Sequence, residues 1–499
     1  MNLNINQILK NILVLAVLVA TSLICFWDVL WLNFFSDDYH VLHRLTIDKI
    51  FWAPGFFRPL SDLTLLFSYY TSGYDAFGYR LFNVLLHAIN GFILFKTLNN
   101  LFPFNDQRNS ITAFIASLFF ITYPFHTESI IWIVGRASLV ANTFGILSLY
   151  FFFSNLPYKP KIFLACLCYF IGLASYESIF VIPGIIFLAA WHHRAIKDAF
   201  LLMIPFTFTL VIHLAVRLYF AGVLAGNYGK DMFGEAQTNY ASKFIKSFGR
   251  LFVPPMHSNV VLIILFLAAL SLIIASFIFI YRYRSRFFHF YVLLWLFLLV
   301  AHLIPTMFGV DTHTSDGDRL LYFPSYFLSA IVAYVILLLD KRRGILFSLT
   351  LFITIGSILL IKRNNNNWIM ADAAMSDIFK HIEKNKNKPI VFANMPDAIE
   401  GSFVFRNGLY EALTINGIQA NVTILNYLRN EEAILFNGHI QPVNAGNKNL
   451  KVPPVVSVTP QSFYIDTLVG GKPFTNAVKR DPQSVFLYWN KNKVVTLLP

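Results

Sequence analysis

The residues best suited to chemistry begin with Ser36-Asp37-Asp38-Tyr39-His40, just after a long apolar run. Two adjacent carboxylates at such a rim repel each other, which raises the proton affinity of one and suits it to accept a proton. The same oxygens suit a divalent cation, the one cofactor this pattern would hold. A helix cap at the start of a solvated loop would use the same residues. His40 and His43 extend the motif toward a metal cluster, but their spacing matches no defined site, so metal ligation stays unknown.

Four further stretches carry charge next to apolar sequence. In Phe57-Arg58-Pro59-Leu60, the residue before proline is extended, so the Arg58 guanidinium can reach a phosphate or carboxylate as a planar fork. Snorkelling to lipid headgroups is the alternative for a lone arginine. Pro124 breaks an apolar run near its end, and His126 and Glu128 follow at once. Arg136 lies eight residues beyond Glu128, about two helical turns, so a shared face is expected. A structural salt bridge between helices would use that pair equally well. Glu177 is isolated between two apolar runs and calls for an arginine partner. In Asp316-Gly317-Asp318-Arg319, Asp318 is expected to cap the following helix. Arg319 has the wrong sign for a helix start and therefore calls for an anion. His87, deep within an apolar run, reads as a hydrogen-bonded packing residue. The chain has no P-loop, dinucleotide fingerprint, HExxH or GxSxG sequence, so nucleotide-driven chemistry has no handle.

The elements that must position these groups are membrane spans. Of 499 residues, 57% are hydrophobic, 17% aromatic and only 13% charged, about half the usual charge of a soluble domain at roughly 25%. Apolar runs of about 17 to 25 residues cross a bilayer. They fall near 8–31, 78–98, 111–133, 137–154, 161–176, 178–191, 198–221, 259–281, 287–308, 319–339 and 344–361, which predicts a polytopic α-helical membrane protein with about eleven transmembrane helices. The first run is too long for a signal-peptide core and lacks a small-residue cleavage site, so it reads as a retained span. Cys25, Cys166 and Cys168 all lie in apolar segments, which excludes a disulfide framework.

The net charge of +13 comes from 39 Lys and Arg against 26 Asp and Glu. Much of the excess sits in short loops, the signature of membrane topology rather than of nucleic-acid binding. Lys159 and Lys161, Arg194 and Lys197, Arg282, Arg284 and Arg286, and Lys341, Arg342 and Arg343 fill alternate connections, with Arg108 in a weaker fifth. That pattern puts the N-terminus inside and the chain end outside. The loops 32–77, 124–136, 176–178, 222–258 and 309–318, with the candidate residues in them or, for Arg319, directly beside them, then share the extracytoplasmic face.

Composition changes after residue 361, giving an expected division into a transmembrane domain, 1–362, and an extracytoplasmic accessory domain, 363–499. The run Asn364–Asn367 reads as a polar junction, followed by an amphipathic helix Trp368–Ile382. Short β-rich runs at Pro389–Phe392, Asn421–Leu425, Val455–Val458, Ser462–Leu468 and Val485–Tyr488 predict a small α+β or mostly β domain.

At these motifs the chain resembles bacterial relatives of the transmembrane and TPR-repeat protein O-mannosyltransferases. These belong to the GT-C class of glycosyltransferases that use polyprenyl-phosphate sugars. The resemblance rests on Asp37-Asp38, Phe57-Arg58-Pro59-Leu60, the stretch Phe77–Ala88, Pro124–Glu128, Trp132–Ala137 and Asp318–Ser325, in order and spacing, over about residues 10–361. Two departures stand out: Tyr176 precedes Glu177 where the family usually has lysine, and the tail lacks TPR repeats.

The resemblance makes Asp37 and Asp38 the catalytic candidates. A carboxylate would take the proton of an acceptor hydroxyl on a protein, glycan or lipid, as the oxygen attacks the anomeric carbon and expels polyprenyl phosphate. Arg58, Arg136 and Arg319 would stabilise that phosphate. His126, Glu128, Glu177 and Asp318 complete the expected substrate-binding set. The implied partners are a polyprenyl-phosphate sugar donor, an acceptor and membrane lipid, with the bacterial inner membrane as location and the tail domain in the periplasm. Inversion at the anomeric carbon is likewise implied by the family. Two rival functions use similar parts. A lipid-linked sugar transporter or flippase would show charges near mid-membrane and an inverted repeat, and neither is visible. A non-catalytic receptor or assembly protein would have the outer domain as its working part, and an intact acidic pair does not favour it.

Overall fold

The computed structural model describes residues 5–51, 56–222, 239–339, 343–392, 395–424, 427–429, 433–436, 439–442, 455–458, 462–469, 472–479, 483–490 and 493–497. Part of the 222–258 loop, the cytoplasmic candidates Lys341 and Arg342, and Leu425 of one expected strand lie outside these residues.

Each of the eleven apolar runs forms a helix: Ile5–Phe26, Ala76–Leu101, Asp106–Ile121, Arg136–Phe153, Tyr158–Leu173, Ile182–His193, Ile196–Ala221, Asn259–Tyr283, Phe288–Ala301, Tyr322–Leu339 and Arg343–Asn385. Four are short, at 16, 16, 12 and 14 residues, and only the last, Phe288–Ala301, reaches spanning length through the helical turns on either side, as Ser285–Phe308. Among the described residues eight helices are long and apolar enough to cross a membrane, fewer than the expected eleven. The chain is an integral, multi-pass, α-helical membrane protein. The shortfall has local causes. The run expected at 111–133 stops at Ile121, ahead of Pro124, and resumes only as the single turn Thr127–Ile131. Around Glu177 the chain makes a 3-10 turn, Glu177–Ile179, before Pro183 opens the next helix in its first turn.

The chain forms two compact units. One comprises Met1–Trp31 with Lys49–Asn365, the other Leu32–Asp48 with Asn366–Pro499. The sequence boundary at 362/363 therefore misses that the acidic loop groups with the tail.

In the first unit, Ala76–Leu101 is the central helix, packed against Arg136–Phe153, Asp106–Ile121 and Ile5–Phe26. Buried polar groups on it are satisfied across helix contacts, as a dry environment demands. Asn90 donates to Tyr322 Oη at 3.0 Å and accepts from Thr143 at 2.6 Å. His87 bonds to Tyr322 Oη at 2.8 Å and to the Ile121 carbonyl at 3.2 Å, a packing role as expected.

The expected polar junction at Asn364–Asn367 is not a break. The helix Arg343–Asn385 runs through it for 43 residues. Asn364 and Asn365 donate to the backbone carbonyls of Pro124 and Cys25, each at 2.8 Å, so these amides tie helices together.

The second unit holds the helix Asp37–Thr46, the end of that long helix and three sheets. Ile390–Phe392 pairs in parallel with Val422–Ile424 and Val485–Asn490, and Lys493–Leu497 adds to the latter antiparallel. Five strands from Ala433 to Lys479 form an antiparallel meander. A third, three-stranded sheet contains Met395–Ile399, Ser402–Phe403 and Tyr427–Arg429. The small α+β reading of the tail agrees with this architecture. Trp368, Phe392, Phe405 and Leu487 supply core apolar surface.

Candidate active site

Seven of the nine candidate side chains belong to the first unit, and five of them fall into three ion-pair clusters. Glu128, on the turn left after Pro124, is fully buried and takes both the backbone N–H and the guanidinium of Arg319. This is the anion that Arg319 required. Gly317, at φ +89°, reverses the chain just ahead and presents Arg319 to it, a backbone conformation that a residue with a Cβ adopts only with strain. Arg319 also lies over the Trp132 ring at 5.3 Å and donates to Tyr176 Oη at 3.4 Å. Burial pushes the Glu128 carboxyl up, and the Arg319 charge only partly restores it.

Glu177 gains two arginines. Arg217 reaches it at 2.5 Å and Arg58 at 3.1 Å. Burial alone would raise its carboxyl, but the two guanidiniums bring it down to about 2. Arg58 sits directly before Pro59, which opens the helix Pro59–Ser72, and its guanidinium stacks on Tyr176 at 4.6 Å. Arg217 is the one charged residue of an otherwise apolar stretch between Asp198 and Gly222, a signal that sequence reasoning passed over.

These two clusters meet. Arg58, Trp132, Val134, Gly135, Ala137, Ser138, Tyr176 and Arg319 line one small, partly open cleft of about 20 Å³. The carboxylates are buried behind it, at 0% and 4% side-chain exposure, whereas Arg319 and Arg58 keep 19% and 18%. The cleft thus shows two guanidiniums and aromatic faces, a surface matched to a phosphate with an apolar attachment.

Asp318 forms the third cluster. It does not serve as a simple cap: its carboxylate pairs with Arg250 at 2.5 Å, both residues being buried. Arg250 also donates to the Asp311 and Val253 carbonyls and lies over Phe125 at 4.5 Å. Sequence reasoning missed Arg250, which stands 68 residues from Asp318 in the chain, at the end of the helix Tyr240–Arg250.

Arg136 and His126 take other places. The eight-residue spacing does not bring Arg136 to Glu128, because the helix breaks at Trp132 and restarts at Arg136. Its guanidinium is buried and donates to Asn83 Oδ1, the Thr64 carbonyl, Ser68 Oγ and the Tyr79 carbonyl at 2.6–2.8 Å. Such a planar fork is a helix-to-helix staple that lysine does not reproduce. Arg136→Lys is expected to lower stability by about 3 kcal/mol, on the scale of lost charge-assisted bonds, read as a fall in the thermal midpoint in detergent. His126 bonds to Ser325 Oγ at 2.8 Å, and its ring lies tilted against Tyr322 at 4.3 Å, within an aromatic cluster with Phe120 and His87.

The acidic pair lies in the second unit and is not symmetric. Asp38 is fully buried, and its Oδ2 accepts the Phe35 backbone N–H at 3.0 Å. Asp37 is half-buried, and its Oδ1 accepts from the Asn407 side chain at 2.8 Å. His40 and His43 engage Glu411 at 2.8 Å and Asp48 at 3.1 Å. Among the described residues no group of three His, Cys, Asp or Glu side chains gathers in metal-ligand fashion.

Fold and geometry define a multi-pass membrane protein with a cationic, aromatic-lined cleft. Comparison with known proteins gives this class its relatives. Human protein O-mannosyl-transferase TMTC3 is 31% identical over 153 residues, 27% of this chain and 16% of the relative. Protein O-mannosyl-transferase F38B6.6 of Caenorhabditis elegans is 25% identical over 218 residues, 40% of this chain and 31% of the relative. Protein O-mannosyl-transferase tmtc2 of Xenopus laevis is 40% identical over 95 residues, 19% and 10% respectively. The chain therefore matches between a tenth and a third of these relatives' lengths. No protein-family model and no solved structure matches it.

Proposed function

We propose that the protein is a GT-C-type membrane glycosyltransferase. It moves a sugar, mannose by analogy with its relatives' names, from a polyprenyl-phosphate carrier to a hydroxyl on the extracytoplasmic face. The observation that carries this reading is the cleft in which Arg58 and Arg319 turn partly exposed guanidiniums outward while Glu177 and Glu128 hold them from behind. Two partly exposed guanidiniums on one cleft would pair with the oxygens of a bound phosphate monoester or diester.

The residue roles follow from this. Asp37, the accessible member of the pair, accepts the proton of the acceptor hydroxyl. The acceptor oxygen forms its bond to the anomeric carbon as the bond from that carbon to the phosphate oxygen breaks. Polyprenyl phosphate leaves with the electron pair, and Arg58 and Arg319 stabilise its growing charge. Asp38 shapes the helix start, Arg136 braces the helices, and Asp318 with Arg250 anchors the loop carrying Arg319. The apolar helix surfaces offer the carrier tail a non-aqueous path. The basic loops favour a bacterial inner membrane with the tail domain in the periplasm. The acceptor class is a protein by analogy with the relatives' names.

The test uses purified protein in lipid vesicles, labelled polyprenyl-phosphate mannose and a panel of hydroxyl acceptors from envelope protein, glycan and lipid. Wild type is expected to transfer label. Arg58→Gln and Arg319→Gln are each expected to lower kcat/KM about 100-fold, the scale for losing one group that stabilises developing charge. A wild-type protein that transfers no sugar from mannosyl, glucosyl or N-acetylhexosaminyl carriers would overturn the reading.

A further inference from the structure

The candidate base stands on a helix whose start is strained. Ser36, immediately before Asp37, has φ 45° and ψ −113°, outside the regions a non-glycine residue favours. Such a conformation costs on the order of 1–3 kcal/mol and persists only where its surroundings over-determine it. Here the surroundings come from the tail. The Ser36 N–H donates to the Val404 carbonyl at 3.1 Å, and Ser36 Oγ accepts the Asn407 backbone N–H at 3.1 Å. Ser36 Oγ therefore does not cap its own helix, the usual work of a serine at that position.

Asn407 holds the next residue as well, through its side-chain amide and Asp37 Oδ1. Gly408 lies at φ +83° against the Ser36 backbone, and a Cβ there would run into the Ser36 carbonyl oxygen. One turn further on, His40 meets Glu411 at 2.8 Å. Upstream, Asn33 is tied by its backbone and side chain to Asp372 at 2.7 and 3.0 Å, and Phe35 packs edge-on to Trp368. Every one of these partners lies more than 330 residues along the chain.

We propose that the tail segment Val404–Glu411 belongs to the catalytic apparatus, with Asn407 a positioning residue that fixes the Asp37 carboxylate, and that the tail domain is more than an accessory. The Asn407 amide sets which Asp37 oxygen stays bonded and leaves Oδ2 for the acceptor proton. The strained Ser36 turn aims the helix start. The proposal rests on the transferase reading for its catalytic consequence, but the clamp itself is testable without it.

The experiment takes the full-length protein in lipid vesicles. Asn407→Asp keeps the side-chain shape and replaces the N–H facing Asp37 with an oxygen. The expected result is a kcat about 100-fold lower, as for a misplaced reacting group. KM for the polyprenyl-phosphate donor should stay within about twofold, with an unchanged thermal midpoint. A purely structural role would move the midpoint and spare that split. In parallel, Gly408→Ala is expected to speed hydrogen exchange of the Asp37–Thr46 amides while Ala76–Leu101 exchanges as in wild type. Turnover of Asn407→Asp within about threefold of wild type, or unchanged exchange in Gly408→Ala, overturns the proposal. Absence of transfer by wild type overturns the transferase reading instead, and the exchange result still decides the clamp.

Discussion

Asp37→Asn is expected to abolish measurable sugar transfer, with a loss on the order of 10²- to 10⁴-fold, the contribution of a positioned general base. The fold should survive it. The side chain is half-buried, and an asparagine oxygen can still accept from Asn407. Asp38→Asn should behave differently. Asp38 is fully buried, and its carboxylate accepts a backbone N–H at the helix start. Removing that charge costs on the order of 1 kcal/mol of cap and dipole interaction. A modest loss of rate should follow, through a looser helix start. The measurement is transfer rate and thermal midpoint for both variants at matched protein. Activity lost in Asp38→Asn but kept in Asp37→Asn would exchange the two roles; activity kept in both would remove the base from the mechanism.

That asymmetry was not legible in the sequence, where the two carboxylates are neighbours and nothing separates them. What makes them unequal is Asn407, 370 residues away. Spans were legible because a membrane helix declares itself locally, by an unbroken apolar run. The break at Pro124 and the demand of Glu177 for a cation were equally local. Pairings were not. Helical spacing pairs Glu128 with Arg136, but the backbone leaves the helix at Trp132, and Arg319 takes the place 191 residues on. Arg217 and Arg250 were overlooked for the same reason: each is a single charge whose meaning comes from the carboxylate it meets, 40 and 68 residues away. The tail strands at Ile390–Phe392 and Ser462–Val469 showed through their β-branched and aromatic content. The two-residue strand Ser402–Phe403 is too short to have a period.

Glu177→Gln should destabilise the protein strongly and disarm the cleft at once, and the two effects can be pulled apart. Arg217 is 1% exposed and Arg58 18%, so neutralising Glu177 leaves one arginine wholly buried and another half-buried without their counter-charge. Breaking a buried pair by removing one partner costs about 3–5 kcal/mol, because the orphaned charge keeps its desolvation penalty. Removing that charge too should recover most of the loss, since a buried pair replaced by apolar side chains of similar volume is often neutral. The double variant Glu177→Gln with Arg217→Met is therefore expected to return to near the wild-type thermal midpoint. It should not return to wild-type activity. Arg58 would still lack the carboxylate that aims its guanidinium along Tyr176 into the cleft, so kcat/KM for the lipid-phosphate donor should stay at least tenfold down, on the scale of a lost charge-assisted bond. Recovery of both stability and transfer in the double variant would mean that Glu177 serves only to neutralise Arg217. Recovery of stability alone would separate its two duties, and would tie the buried carboxylate to phosphate binding through Arg58.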